Sequence, residues 1–555
     1  MKKFFLFICA FLIIVPLWGE YYYQNDSEIF TLLHISRRMG RVLPFTTFPI
    51  HGSDVLDFAK LLSSNSASSL LNETETAMLE NLISKLEEQK EAGIMAFGSL
   101  EAAYEHRFST GAFMFSEYGI ELPDAEDIHR AYLNFSPVLR LFGGIGTFDG
   151  IWVAMQSDIR PAWKDNFSPT SNFLTEFDTM FDMFTKGVFA WNSRHADFSI
   201  GRDSVHWGNP LGSTLYVSSR IPHMDGIRIN APIGPFTADY FLATIMPKRA
   251  RYLDLDDVVK EDYPHIYTPE NPLGPHFGFN NNQPDESPTT ILFMSMRLQW
   301  NFGSVKTGIG ATITYARANN QFLFTDILPV FNHHNADSAP NNYAFILDVQ
   351  WAIIPGLTLS AMLGFDDINA NDFGIPDGQT PTIPGAILQL EYSALNSNLF
   401  QYYMMEVGYT HYLWGNFRYN DKPESWCGVM MARNIYRYVP NSRAVLLPLT
   451  SPYGPGTLWT KFTGRFTFTE INLQAGFDLL LLFKNSEANL ITTPYDENKS
   501  LNSYDQWFLT LDIPVSYIWR NFEFIISPAM ILSEGKQAFE CTLGVRFSLY
   551  GNGRL

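Results

Sequence analysis

Residues 539–549 read FECTLGVRFSL: Phe539, Cys541, Leu543, Val545, Phe547 and Leu549 are apolar, and Glu540, Thr542, Gly544, Arg546 and Ser548 between them are polar or small. Successive side chains of an extended strand point to opposite faces, so this stretch carries one apolar and one polar face. The pattern recurs upstream. Ile471, Leu473, Ala475, Phe477, Leu479 and Leu481 alternate with Glu470, Asn472, Gln474, Gly476 and Asp478. Phe462, Phe466 and Phe468 stand against Lys461, Thr463, Arg465, Thr467 and Thr469, and Leu357 to Phe365 against Thr358, Ser360 and Gly364. Each run is about 10 residues long, the length a tilted strand needs to cross a bilayer.

Two architectures produce such alternation: a soluble sandwich with its apolar faces inside, or a transmembrane barrel with them outside and a polar lumen. Periodicity alone leaves both open. The connections separate them, because tight turns at Ile354-Pro355-Gly356 and Arg520-Asn521 alternate with long polar stretches at 247–288, 318–341, 414–456 and 484–506. Short loops at one end and long loops at the other are how outer-membrane barrels are connected. The expected fold is therefore an all-β transmembrane antiparallel β-barrel, with roughly 18 to 20 strands from residue 95 onward. Five residues follow Tyr550, which departs from a barrel ending on an aromatic terminus.

The N-terminus supplies the export route. Met1-Lys2-Lys3 precedes the apolar run Phe4 to Leu17, and small Gly19 stands before Glu20, as in a cleaved signal peptide over 1–19. Cys9 lies inside the apolar run behind bulky Ile8, a poor setting for lipidation. Only Cys427 and Cys541 then remain, too few for a disulfide framework in so long a chain. No later segment has the ~18 uninterrupted apolar residues of a membrane helix. A formal charge of -19 from 38 basic and 57 acidic residues argues against nucleic acid as a partner, and 15% aromatic residues exclude a disordered polymer.

Between residues 20 and 94 the apolar spacing becomes helical. Ile29, Leu32 and Leu33 follow Ser27 as a candidate N-cap, and Leu79, Leu82, Ile83 and Leu86 follow Asn72 with Glu75 three residues on, a capping-box spacing. Helices are expected around 27–39, 53–62 and 73–91, forming a small periplasmic region before a barrel over 95–555. The charges from Lys85 to Glu91 read as a solvated face.

A family resemblance rests on Phe198-Ser199-Ile200-Gly201-Arg202, His206-Trp207-Gly208, Leu215-Tyr216-Val217-Ser218 and Asp225-Gly226-Ile227-Arg228. Together with Asn342 to Trp351, the Pro355 turn and Phe365-Asp366-Asp367-Ile368, this block resembles the capsule assembly Wzi family of outer-membrane proteins. The resemblance implies an eighteen-stranded outer-membrane barrel with a periplasmic helical bundle. It implies a lectin that anchors capsular or other surface polysaccharide in a Gram-negative-type bacterium, with outer-membrane lipid and the barrel assembly machinery as its other partners and no cofactor.

Each residue of the block also has a plain structural reading. Gly201 and Gly208 permit close backbone packing, and Trp207 sits in an aromatic girdle or plugs the lumen. Arg202 and Arg228 lie in strands, where a lipid-facing charge costs ~2–4 kcal/mol near mid-bilayer, so both are expected to point into the lumen. There they pair with carboxylates such as Asp203 or Asp366, or offer forked donors to an acidic sugar. His206 reads first as a satisfied hydrogen-bonding residue. Candidate polysaccharide-binding residues are thus Arg202, His206, Trp207 and Arg228 in the wall, and Trp426 and Tyr436 in the 414–456 loop, where Trp414, Tyr419, Tyr438 and Tyr453 add further stacking surfaces.

Enzyme readings are weaker. Asp366 and Asp367, adjacent on a strand, would project to opposite faces and cannot form a glycosidase pair by themselves. Gly144-Ile145-Gly146 lacks the third glycine of a dinucleotide fingerprint, and no G-x-S-x-G, H-E-x-x-H or C-x-x-C occurs. His333, His334 and Asp337 lie among Asn and Ser, where solvation accounts for them without a metal. Two functions stay open: a surface lectin, favoured by a lumen filled with Arg, Asp, Trp and inserted loops, and a passive porin for small solutes, favoured by an open charged lumen.

Overall fold

In the computed structural model the described residues run from 21 to 554. They leave out 122–131, 160–185, 219–223, 245–289, 318–326, 328–340, 369–381, 420–431, 437–443, 489–493, 496–503 and pieces of one to three residues. The expected signal peptide, Cys9, Cys427, Trp426, Tyr438, His333, His334 and Asp337 lie outside them. Antiparallel strands close into one barrel in chain order. They are β1 (Ile94–Gly111), β2 (Tyr132–Thr147), β3 (Ile151–Ile159), β4 (Lys186–Ser193), β5 (Ala196–Asp203), β6 (Met224–Ile233), β7 (Phe236–Thr244), β8 (Thr290–Asn301) and β9 (Val305–Arg317). They continue as β10 (Asn341–Ile354), β11 (Leu357–Asp367), β12 (Ile383–Asn396), β13 (Leu399–Thr410), β14 (Thr457–Phe468), β15 (Leu473–Lys484), β16 (Gln506–Asp512 and Val515–Trp519), β17 (Phe522–Ser533) and β18 (Lys536–Arg554).

The two halves of β16 both pair with β15 and with β17, so they form a single stave broken at Ile513-Pro514, and the wall has eighteen staves among the described residues. Proline has no N–H to give the ladder, which is why the break falls there. The seam is closed by β18 on β1, from Ala538 opposite Gly111 to Arg554 opposite Met95. The residues after Tyr550 therefore extend the closing strand, a use the sequence pattern does not announce.

Burial decides between sandwich and barrel. Phe539, Leu543 and Val545 are exposed, as are Leu347, Val349, Trp351, Leu388, Leu390, Met405 and Phe462, while the residues between them turn inward. The apolar faces point out. The tight ends include Pro355-Gly356, with Gly356 at φ 88, and Arg520-Asn521, with Arg520 at φ 55.

Three helices pack at the tight-turn end: α1 (Ser27–Arg38), α2 (Gly52–Ser63) and α3 (Glu73–Glu91). The capping box forms reciprocally, with Glu75 N donating to Asn72 Oδ1 and Asn72 N to Glu75 Oε2, both at 2.9 Å. Glu75 also receives His34 Nε2 at 3.0 Å and Arg38 Nε at 2.9 Å, so one carboxylate caps α3 and ties it to α1. The cap of α1 is Asp26 rather than Ser27, its Oδ2 accepting from Tyr23 N. The stripe on α1 is broader than its apolar spacing suggests: Ile35 and Ser36 are fully buried because the helix enters the barrel mouth. There Arg37 forms an ion pair with Glu391 of β12, both almost wholly buried. On α3, Glu87 pairs with Lys60 in the open, whereas Lys85 reaches a partly buried Glu28.

Candidate functional site

The inner face of the wall is polar, as a strand alternation with its apolar face outward requires. What the alternation does not specify is how that face is covered. From the tight-turn end, residues 41–51 enter as an extended strap: Lys306 Nζ donates to the carbonyls of Leu43 (2.8 Å) and Phe45 (3.0 Å), and Gln299 Nε2 to that of Pro44 (2.7 Å). Thr46 Oγ1 donates to Gln299 and Thr47 Oγ1 to Asp239, while the Arg228 guanidinium donates to the Pro49 carbonyl. These bonds satisfy the carbonyls of Leu43, Pro44, Phe45 and Pro49, which no helix or sheet ladder pairs, the condition for irregular chain inside a membrane protein.

From the other end, the β5–β6 connection folds inward and meets the strap. His206 and Trp207 pair with Phe48 and Thr47, and Gly208 N donates to the Thr46 carbonyl at 2.8 Å. Tyr216 OH donates to Asp348 at 3.0 Å, and Asp348 holds Arg297 through both oxygens at 2.7 and 2.9 Å. Glu406 is fully buried yet accepts from Ser213 N, Ser213 Oγ, Gln389 Nε2 and Trp459 Nε1, between 2.5 and 2.8 Å. A buried carboxylate with four donors is satisfied; the same group without them would be severely destabilising.

A third layer comes from the β13–β14 connection. Trp414 Nε1 donates to Thr450 Oγ1 at 3.1 Å, Gly415 N to Asp366 Oδ2 at 2.8 Å, and Ser218 N to the Leu449 carbonyl at 2.8 Å. The wall makes room for these rings with glycine. A Cβ on Gly310 would lie 2.8 Å from the Tyr216 ring, one on Gly364 or Gly385 2.8 Å from Trp414, and one on Gly408 2.0 Å from Trp459. Inward-facing glycines opposite aromatic residues of the inserted loops are the sequence signal that could have revealed the plug.

The predicted residues fall into this framework. Arg228 points into the lumen as expected, where its guanidinium donates to the Pro49 carbonyl of the strap. Arg202 differs. It pairs with Asp225 directly across the β5–β6 ladder at 2.7 and 2.9 Å, not with Asp203 or Asp366. By strand parity it shares a face with exposed Ile200 rather than with Ser199 and Asp203, so the lumen expectation does not hold for it. Its place at the long-loop end, where a charge is cheap, and its forked partner explain the tolerance. Asp203 receives Tyr23 OH at 3.0 Å, and Asp366 caps Gly415.

His206 is buried and its Nε2 lies 2.8 Å from the Asn209 carbonyl; burial pushes its pKa down to about 4, keeping the ring neutral. Trp207 is wholly buried beside Tyr216, in the plug rather than in a girdle. Gly208 lies at φ 153 with Thr214 against it, and Gly201 at φ 133, where a Cβ would meet the Gly187 carbonyl at 2.1 Å. Trp414, expected as a loop stacking surface, is buried in the third layer, and Tyr453 packs on Trp459. The side chains of Tyr419 and Tyr436 lie outside the described residues. Cys541 is a free thiol, and no metal-holding cluster occurs among the described residues.

This arrangement can be compared with solved structures. No family model and no curated protein matches the chain. By structure it is similar to Wzi of Escherichia coli, an outer-membrane protein involved in group 1 capsule assembly and described as a carbohydrate-binding β-barrel. The identity is 11% and the TM-score 0.59, covering 95% of this chain and 99% of that one. Its fold is similar to that of Wzi. The resemblance read from residues 198–228 is borne out at the level of the fold. Two porins align less well: Pseudomonas aeruginosa OpdQ at TM-score 0.39 and a BenF-like porin of Pseudomonas fluorescens Pf-5 at 0.40. Each is 9% identical, covering 82% of this chain and 98% of its own.

Proposed function

We propose that the protein is a non-enzymatic outer-membrane barrel that binds surface polysaccharide through its long loops, exported by a cleaved signal peptide, with residues 20–94 on the periplasmic side. One observation carries this reading: the strap and two inserted loops are hydrogen-bonded over the inner face of β5 to β13, an arrangement suited to presenting a fixed surface rather than to passing solute. The fold shared with a carbohydrate-binding barrel supports it. Because Arg228, His206 and Trp207 are committed to the plug, the direct sugar contacts fall to the outer loops, with Trp426 and Tyr436 as the proposed stacking residues. The assay is glycan retention on cells carrying Trp426→Ala with Tyr436→Ala. Each lost ring forfeits ~1 kcal/mol, so binding weakens roughly tenfold or more at unchanged barrel yield. Wild-type retention in that variant rejects these positions. If deleting the whole protein releases no glycan but lowers solute uptake, the porin reading replaces the lectin.

A further inference from the structure

A cavity of about 600 Å³ lies at the tight-turn end, between the strap, the start of α2 and the ends of β4 to β8. It is remote in the fold from the loops assigned to polysaccharide, and its volume falls within the usual range of small-molecule sites. Fifteen of its twenty-one lining residues are polar, which disfavours a lipid or an aromatic ligand. Its charged groups are largely committed to one another. Asp239 accepts from Thr47 and Asn230, the Asp54 and Asp197 carboxyls lie beside each other, and Arg228 donates to the Pro49 carbonyl. Asn230 donates to Asp239, Asn192 to Ser53, and Asn301 accepts from Gly303 N, which leaves the lining Asn192 Oδ1, Asn230 Oδ1, Asn301 Nδ2 and the Thr237 hydroxyl beside the apolar surfaces of Phe45 and Pro232. Amides and hydroxyls both donate and accept, the pairing that sugar hydroxyls require, and an apolar ring face complements Phe45. With Asp54 protonated, Asp57, Asp197 and Asp239 still outnumber Arg228 and Lys90, so the cavity offers an anionic ligand no net positive charge.

We propose that this cavity is a second carbohydrate site, on the periplasmic side, selective for a neutral saccharide of about two rings. The choice of ligand class rests on the carbohydrate-binding reading, but the site and its residues are separate from the outer loops. The experiment is calorimetric titration of the purified full-length protein in detergent with maltose, lactose and cellobiose, and with digalacturonate as the anionic counterpart. At least one neutral disaccharide is expected to bind saturably and digalacturonate not at all. Thr237→Trp, which fills the cavity from β7, is expected to weaken that binding at least about tenfold while leaving glycan retention on cells unchanged. Asn301→Trp, at the exposed rim, makes the same test should the first variant assemble poorly. The inference is overturned if none of the three sugars binds, if digalacturonate binds as tightly, or if both assembled variants bind as wild type. The outer-loop reading stands or falls separately, on retention in the Trp426 and Tyr436 variant.

Discussion

Along Asn341–Ile354, Leu347, Val349 and Trp351 turn outward with 40 to 47% of their surface exposed, while Ile346, Asp348 and Gln350 between them turn inward and are at most 8% exposed. The same strand thus serves two environments under different rules. Outward residues need only be apolar, since lipid makes no directional demand. Inward residues are tied to named partners distant in sequence: Asp348 to Arg297 and Tyr216, and Glu391 to Arg37. Substitutions should therefore behave differently on the two faces, in kind as well as size.

The largest effect is expected inside. Arg37→Ala leaves the fully buried Glu391 without its cation, which costs ~3–5 kcal/mol. Limited proteolysis should then cut the helical region while the barrel keeps its heat-modifiable migration. Equal resistance would show that the bundle does not depend on this pair. Next comes the outer face: Leu543→Asp places a charge against lipid, at less than the ~2–4 kcal/mol an arginine costs near mid-bilayer, whereas Thr542→Asp, on the lumen side, should assemble nearly as wild type. Equal folded yields of the two variants would mean that the faces are misassigned. Tyr216→Phe removes one donor from Asp348 but leaves Arg297 in place, so a loss of only ~1 kcal/mol is expected in urea unfolding of the assembled protein. A loss as large as that of Arg37→Ala would make the Tyr216 contact the main support of the plug.

A further effect depends on pH and concerns the seam between bundle and wall. Burial, then the neighbouring Asp197, pushes the Asp54 carboxyl up to about 8. Asp57 adds to this and Arg228 opposes it, with Asp239, Lys90 and His51 nearby. The docked bundle therefore holds a proton that an undocked Asp54, with its ordinary value of 3.8, releases. Docking weakens as pH rises from about 4 through 8 and levels off beyond. In Asp54→Asn, the protection of α2 against hydrogen exchange, relative to the intrinsic rate at each pH, should be as high at pH 8 as at pH 5. Identical pH profiles for variant and wild type would remove Asp54 from the seam.

This contrast also explains what the sequence made legible. Alternation in residues 539–549, the tight turns and the Asn72–Glu75 capping box are local signals, and each reads directly into structure because its partners lie within a few residues. The plug is not local. Ser213 meets Glu406, and Thr46 meets Gln299, across separations of 193 and 253 residues. Arg202 was misplaced for the same reason. Its face follows from strand parity beside Ile200, whereas the cost of a charge in lipid alone predicts the lumen; the cross-strand Asp225 that neutralises it lies 23 residues away. Trp414 looked like an exposed loop aromatic because nothing beside it in sequence shows that Gly364 and Gly385 leave space for its ring.

Along β5 to β13 the polar inner face is covered by the chain's own inserted segments, leaving the outer loops to do the binding. Single-channel recording of the purified full-length protein in a planar bilayer at neutral pH tests it most directly. Wild type is expected to show no stable open-pore conductance. A steady, ohmic conductance in every inserted wild-type barrel would contradict it and make the protein a porin.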